Sequence, residues 1–321
     1  MKCKWIKKLT AGIIFLAAVG SLSGCQKAAT SENLFRDIEV NMTSVESAEE
    51  NQIVKLQMGD GDSAISQESN LDIEMTRNPA SVHRKGQQKT NMAGTKETQE
   101  MESYQVEEDG KTVIYSGTDE AWEKNAVEEK ETSSQQTVLF DGLQNLSGAF
   151  NVSQDLATVN KEECFELTGT ISGTQFQETF ADTLKALLGE DSSDLSGWNL
   201  QASEDEENNE ELQQKLNNVK VDCVIDIYRS NILPAKITFD LTDYLKAAGE
   251  ENAQVTSYTL EVTFVSYNDT KKIKVPKAVK ESAKDNGEDE AENSTDEMLE
   301  EENQEATAEA EAAKGIQSDI E

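Results

Sequence analysis

Basic residues are scarce. Against 63 Asp and Glu the chain carries 29 Lys and Arg, a formal net charge of −34 over 321 residues. Nucleic-acid binders carry a basic patch, so that class of partner is excluded. The same shortage keeps the protein body off an anionic bilayer. Histidine occurs once, as His83, in a polar segment that reads as surface. Proline occurs three times, at Pro79, Pro234 and Pro276. No Gly-x-Ser-x-Gly elbow, His-Glu-x-x-His pair or phosphate loop is present. Asp60 and Asp62 do not have the ordered ligand spacing of an EF-hand loop. No nucleophile, base and oxyanion donors can be assembled, so the chain reads as no enzyme, with no cofactor and no metal. No apolar run reaches the roughly 20 residues that a membrane-spanning helix needs. Apolar residues make up 36 %, low for a globular chain of this length. One globular domain with disordered acidic stretches is therefore expected.

The N-terminus has a definite plan. Lys2, Lys4, Lys7 and Lys8 precede the apolar run Ala11–Val19, and Leu22-Ser23-Gly24-Cys25 closes the segment. A basic start, a short apolar core and a small-residue exit make an export signal. Leu-Ser-Gly-Cys resembles the bacterial lipobox. That resemblance implies a diacylglyceryl thioether on Cys25 and cleavage between Gly24 and Cys25. The thiolate is the nucleophile that takes up the lipid, and two acyl chains anchor stably where one does not. Residues 1–24 are then a lipoprotein signal peptide and 25–33 a lipidated tether. Loss of the four lysines lowers the charge from −34 to −38. The expected location is the outer face of the cytoplasmic membrane, held by lipid rather than charge, with the protein a monomer.

Alternation dominates the next stretch. Ile38, Val40 and Met42 share one parity and read as a strand starting near Leu34. Val54, Leu56 and Met58 repeat the pattern, as do Leu71, Ile73 and Met75. Ser81–Thr90 reads as a charged edge strand. Met101–Val106 and Thr112–Ser116 flank Asp109-Gly110, a hairpin, and Trp122 follows. Leu139, Leu143, Leu146 and Phe150 fall at helical spacing. Phe165, Leu167 and Ile171 indicate a strand. Thr174-Gln175-Phe176-Gln177 resembles a capping box. It leads into a helix with Phe176, Phe180, Leu184, Leu187 and Leu188 on one face. Residues 190–211, with Trp198 among acidic side chains, read as a mobile insertion. A short helix near Leu212 and Leu216 follows. Then come three strong strands through Val221–Ile227, Leu233–Leu241 and Tyr258–Phe264, an antiparallel meander. Residues 281–321 hold sixteen acidic residues and two lysines, and read as a disordered tail.

The C-terminal meander carries a resemblance. Tyr228-Arg229-Ser230-Asn231-Ile232-Leu233-Pro234-Ala235-Lys236, then Tyr258–Phe264, Tyr267-Asn268 and Ile273-Lys274-Val275-Pro276-Lys277-Ala278-Val279 are similar to Gram-positive exported lipoproteins with the LolA/LppX-like half-barrel fold, including lipoproteins of the DUF6612 type. Tyr104, Gly110, Tyr115 and Trp122 fit the central hairpin of such proteins. The resemblance covers roughly residues 34–280. It implies an α+β fold: a curved antiparallel β-sheet, an open half-barrel, with amphipathic helices covering its concave face. It further implies a binding module for a lipid or other hydrophobic ligand. The alternative is a structural or interaction lipoprotein of the cell envelope with a filled core and no ligand, its acidic segments meeting a cationic partner. Periodicity leaves both open.

Two thiols, Cys164 and Cys223, remain once Cys25 is acylated, and an exported chain invites a disulfide between them. Parity counts against it. Cys223 shares the apolar parity of Val221 and Ile225, whereas Cys164 is opposite to Phe165 and Leu167, and a direct bridge needs both on one face. A bulge or strand start at Cys164 removes the conflict, and the Cys164–Cys223 disulfide is the expectation.

Overall fold

In a computed structural model the described residues are 29–59, 64–118, 121–127, 140, 142–188, 206–248 and 254–285. They begin with helix α1 (Ser31–Met42). Its apolar residues fit two periods, and the helical one prevails. Leu34, Phe35, Ile38 and Met42 are buried, while Val40, which the strand reading placed inside, is 62 % exposed. Thr30 caps the helix, its hydroxyl accepting from the Asn33 amide at 3.3 Å. The expected first strand is therefore a helix that starts inside the stretch read as tether.

The strands are β1 (Ser47–Met58), β2 (Ile65–Thr76), β3 (Ser81–Met92), β4 (Thr95–Glu108), β5 (Lys111–Thr118), β6 (Ala121–Val127), β7 (Phe150–Val159), β8 (Glu162–Ser172), β9 (Lys220–Tyr228), β10 (Pro234–Asp240), β11 (Val255–Tyr267) and β12 (Lys284–Asp285). They form one open sheet in the order β12-β6-β5-β4-β3-β2-β1-β11-β10-β9-β8-β7. All pairings are antiparallel except β12 with β6. This is the expected open half-barrel. The meander β9-β10-β11 stands as read, and so does the β4–β5 hairpin. There Asp109 and Gly110 take φ of 53° and 75°, the left-handed pair that a two-residue turn needs. β3 is not an edge. It pairs along its whole length with β2 and β4, and its charges meet partners on those strands.

Among the described residues there are four more helices: α2 (Gly173–Leu188), α3 (Glu206–Asn217), α4 (Thr242–Ala248) and α5 (Lys277–Ser282). A 3-10 helix covers Leu143–Ala149, where the sequence promised an amphipathic helix. The capping box of α2 sits two residues earlier than expected. The Ser172 hydroxyl accepts from the Gln175 amide at 3.1 Å, and the Gln175 side chain accepts from the Ser172 amide at 3.0 Å. Of the insertion 190–211, residues 206–211 belong to α3; the remainder, Trp198 included, lies outside the described residues, as does the tail from 286 on.

α1–α4 sit on one face of one half of the sheet. α2 packs on β8 and β9, α4 on β9 and β11, α3 between α2 and α4, and α1 on the 3-10 helix and β7. Beneath them Val221, Cys223, Ile225, Phe239, Leu260, Val262 and Phe264 meet Phe35, Ile38, Phe140 and Phe176 in the main core. Phe176 has Phe239 and Tyr244 edge-on, at 5.2 Å and 5.0 Å between ring centroids, a geometry worth more than area alone. Among the described residues, this part of the sheet and its helices thus share one continuous apolar cluster.

A second core lies on the opposite face at the other end. Tyr104, Val106, Val113, Tyr115 and Trp122 meet Ile273 and Val279 there. The chain reaches it after β11: Asn268 accepts from the Glu46 amide at 2.7 Å. The segment then runs beneath β4–β6, with α5 lying on β6, Lys280 pairing with Glu108, and β12 finally joining β6. The ordered chain thus extends beyond residue 280, into what was read as tail.

Candidate functional site: a neutral sheet face bearing two buried polar side chains

Between the two cores, β1–β4 form a broad ribbon whose faces differ in chemistry. Register defines the rows. On the face continuous with the main core, the rows are Glu50-Ile73-Arg84-Ser103, Gln52-Leu71-Gly86-Met101, Val54-Ser69-Gln88-Gln99 and Leu56-Gln67-Thr90-Glu97. On the other face they are Glu49-Glu74-His83-Tyr104, Asn51-Asp72-Lys85-Glu102, Ile53-Asn70-Gln87-Glu100 and Lys55-Glu68-Lys89-Thr98. One side is a mesh of charges. The other carries three charged side chains in its four rows, Glu50, Arg84 and Glu97.

The charged face holds itself together. Glu102 accepts from Tyr104 at 2.7 Å and Lys85 at 3.0 Å, and lies 2.9 Å from His83 Nε2. Burial works against its charge, but these three hydrogen bonds bring the Glu102 carboxyl down to about 2. His83, read from sequence as a lone surface residue, stacks flat on Tyr104 at 4.3 Å and also reaches Glu74 at 3.4 Å. A histidine engaged on both nitrogens and one ring face is a structural element of this mesh.

The neutral face holds what the mesh does not. Glu50 is 2 % exposed and Gln52 1 %. Neither carboxyl oxygen of Glu50 and neither amide atom of Gln52 has a hydrogen-bond partner among the described residues. Buried polar groups are nearly always paired, and leaving one unpaired costs about 1–3 kcal/mol. Two such side chains lie side by side on one strand, with Phe264 and Val262 opposite them on β11 and Ile73 and Leu71 on β2. Burial pushes the Glu50 carboxyl up to about 7, opposed by the Arg84 guanidinium two strands away. Gly86 stands in the Gln52 row. The strands approach there so closely that a Cβ would lie 2.0 Å from the Asn70 carbonyl oxygen. Below Gln52, the half-buried Val54, Leu56 and Met58 continue along β1 against the main core.

Sequence reasoning missed Glu50 and Gln52. The run Ser-Ala-Glu-Glu-Asn-Gln gives no apolar alternation, so nothing local marks it as strand; only the parity of Val54 and Leu56, extended upstream, would have placed both inside. The residues it did single out fare differently. Gly24 and Cys25 lie outside the described residues. Cys164 and Cys223 are both free thiols, and the disulfide is corrected. Cys164 pairs with Tyr228 and Cys223 with Gly169 on adjacent strands. Five positions separate the two cysteines along the ladder, about 16 Å, against a limit of about 7 Å for a bridge. They also face opposite sides: Cys223 is in the main core, while Cys164 packs with Val159, Tyr228 and Ala235. The parity conflict was the sound argument. Burial pushes both thiols up, away from reactivity. Among the described residues no cluster of three His, Cys, Asp or Glu could hold a metal, and no helix is long and apolar enough to cross a membrane.

Solved structures similar to this chain include LprF from Mycobacterium bovis, at 11 % identity, covering 77 % of this chain and 96 % of that one with a TM-score of 0.42. The lipoprotein LppX from Mycobacterium tuberculosis is 15 % identical, with coverages of 76 % and 98 % and a TM-score of 0.39. A LolA superfamily protein from Nitrosomonas europaea is 9 % identical, with coverages of 78 % and 96 % and a TM-score of 0.21. No curated protein matches the sequence. The model of one family of unknown function matches residues 30–284, from the turn before α1 into β12, and the chain therefore belongs to that family, DUF6612.

Proposed function

We propose that this chain is an exported lipoprotein, tethered through Cys25 to the outer face of the cytoplasmic membrane, whose neutral sheet face binds a lipid or another hydrophobic ligand. The observation that carries the ligand is the contrast between the two faces of β1–β4. Water tolerates either face, but a neutral, partly apolar partner gains most from the surface poorer in charge. The half-buried Val54, Leu56 and Met58 beside the orphaned Glu50 and Gln52 support the ribbon next to the main core as the ligand's place. The anchor rests on the lipobox alone. It would keep that face within reach of the bilayer, a source of such ligands.

The test joins both parts. Cells fed labelled palmitate should incorporate it into the wild-type protein and not into Cys25→Ala. Native mass spectrometry of the gently extracted Cys25→Ala protein should show a population heavier by one ligand. An unlabelled wild-type product would remove the anchor. A spectrum of bare polypeptide, unchanged after incubation with membrane lipid extract, would instead favour an envelope interaction protein without a ligand.

A further inference from the structure

We infer that Glu50 and Gln52 are the recognition point for a neutral, hydroxyl-bearing head group, such as the free hydroxyls of a glyceride, with its acyl chain lying along Val54, Leu56 and Met58. The inference rests on the ligand-binding reading above and adds the chemistry of the ligand and its orientation.

Two observations lead to it independently. The first is the orphaned polar atoms. Gln52 has two N–H donors and a carbonyl acceptor, and Glu50 has two oxygens, all buried and unpartnered among the described residues. A hydroxyl both donates and accepts, so it satisfies either side chain. Their spacing on one face of a strand is about 7 Å, within the span of two side chains converging on adjacent hydroxyls of one glycerol unit. The second is the charge balance. Arg84 faces Glu50 across Ile73 from the same row, and each influences the ionisation of the other. A phosphate or carboxylate head would bring a third charge, close to Glu50, onto a face with no cation left over among its central rows. A neutral head leaves the pair balanced and is cheap to desolvate. Orientation follows from the strand. Upstream of Glu50 the face closes over the buried Ala48, Met75 and Val82. Downstream it stays half-open along Val54, Leu56 and Met58. An acyl chain has room only in the second direction.

The test uses delipidated Cys25→Ala protein and three probes that each carry one oleoyl chain: monooleoylglycerol, oleate and oleoyl lysophosphatidylglycerol. Binding is read by native mass spectrometry and by competition with a fluorescent fatty acyl probe. Monooleoylglycerol should bind best. Gln52→Leu should weaken it about tenfold while leaving oleate within twofold; Glu50→Gln, which keeps the hydrogen-bonding capacity and removes the charge, should strengthen oleate relative to monooleoylglycerol; and Leu56→Ala should weaken every probe. Melting curves of the variants confirm that each is folded. Equal affinity for all three heads, a preference for an anionic head, or indifference to Gln52→Leu overturns the head-group assignment and leaves the binding reading intact. If no probe binds the folded wild type, both fall.

Discussion

Unfolding free energy should fall between pH 4.5 and pH 8, and Glu50→Gln should remove about 3 kcal/mol of that fall. The Glu50 carboxyl is raised from 4.5 to about 7 in the fold, with burial as the main cause. Between those values the folded state holds a proton that the unfolded chain has released, so stability is lost as pH rises through the window. Each unit corresponds to about 1.4 kcal/mol. Asp226, 7 % exposed and raised to about 6 by burial and by Glu166, pushes in the same direction. The general repulsion of an acidic chain also grows with pH. The wild type alone therefore would not assign the effect, and the difference in slope between wild type and Glu50→Gln does. The absolute level of the variant is not the readout, because removing the carboxylate also strips Arg84 of its counter-charge. Below pH 4.5 the sign reverses. Glu102, held down to about 2 by Tyr104, His83 and Lys85, loses its contribution as it protonates, so the stability maximum should fall near pH 4.5. Urea titrations read at half-unit pH steps check both limbs. A wild type whose stability rises steadily from pH 4.5 to pH 8 would show that Glu50 is solvated and that its orphaned oxygens have found water.

Ending the chain at Asn268 should cost still more than this. It removes Ile273 and Val279 from the cluster with Tyr104, Tyr115 and Trp122, together with α5, the Lys280–Glu108 pair and β12. Burying two aliphatic side chains of this size is worth about 1.5–3 kcal/mol each, so a loss of about 3–6 kcal/mol is expected. The loss should be local. Hydrogen exchange in β4, β5 and β6 should accelerate while β8–β11, under their helices, keep their protection. In a Trp198→Phe background without the signal segment, Trp122 emission should shift to the red. Ending the chain after residue 287 instead removes only acidic tail and should leave the urea midpoint unchanged. Equal destabilisation by the two truncations would mean that the segment 269–285 is not what holds this end of the sheet.

How far the sequence led is best seen strand by strand. The meander β9-β10-β11 was legible because its inner face is packed, and Val221, Cys223, Ile225, Phe239, Leu260 and Val262 are all buried at period 2. The helix α2 was legible for the matching reason at period 3.6. Where a segment is short, the two periods coincide: Ile38 and Met42 satisfy both, and it takes the burial of Phe35 with the exposure of Val40 to decide for α1. β3 misled because charge was equated with an edge. Its His83 and Lys85 are charged or polar because Glu74 and Glu102 stand beside them, a reason that exists only once the strands are paired. The candidate site was illegible for the same cause. A glutamate and a glutamine in a polar stretch look like surface until Phe264 arrives opposite, more than two hundred residues later in the chain.

That long-range pairing has a consequence for how the molecule comes into being. β1 is zipped on one side to its sequence neighbour β2 and on the other to β11, with Ala48 opposite Tyr267. Loop closure over such a separation is slow, and the ribbon β1–β6 is left with an open seam until β11 arrives. A chain emerging from the ribosome or a translocation channel, N-terminus first, can make its hairpins early but completes the sheet only when nearly all of it is through. Until then the open side of β1 is a template for any strand that finds it, and safe maturation of this protein depends on the speed at which its last quarter follows its first.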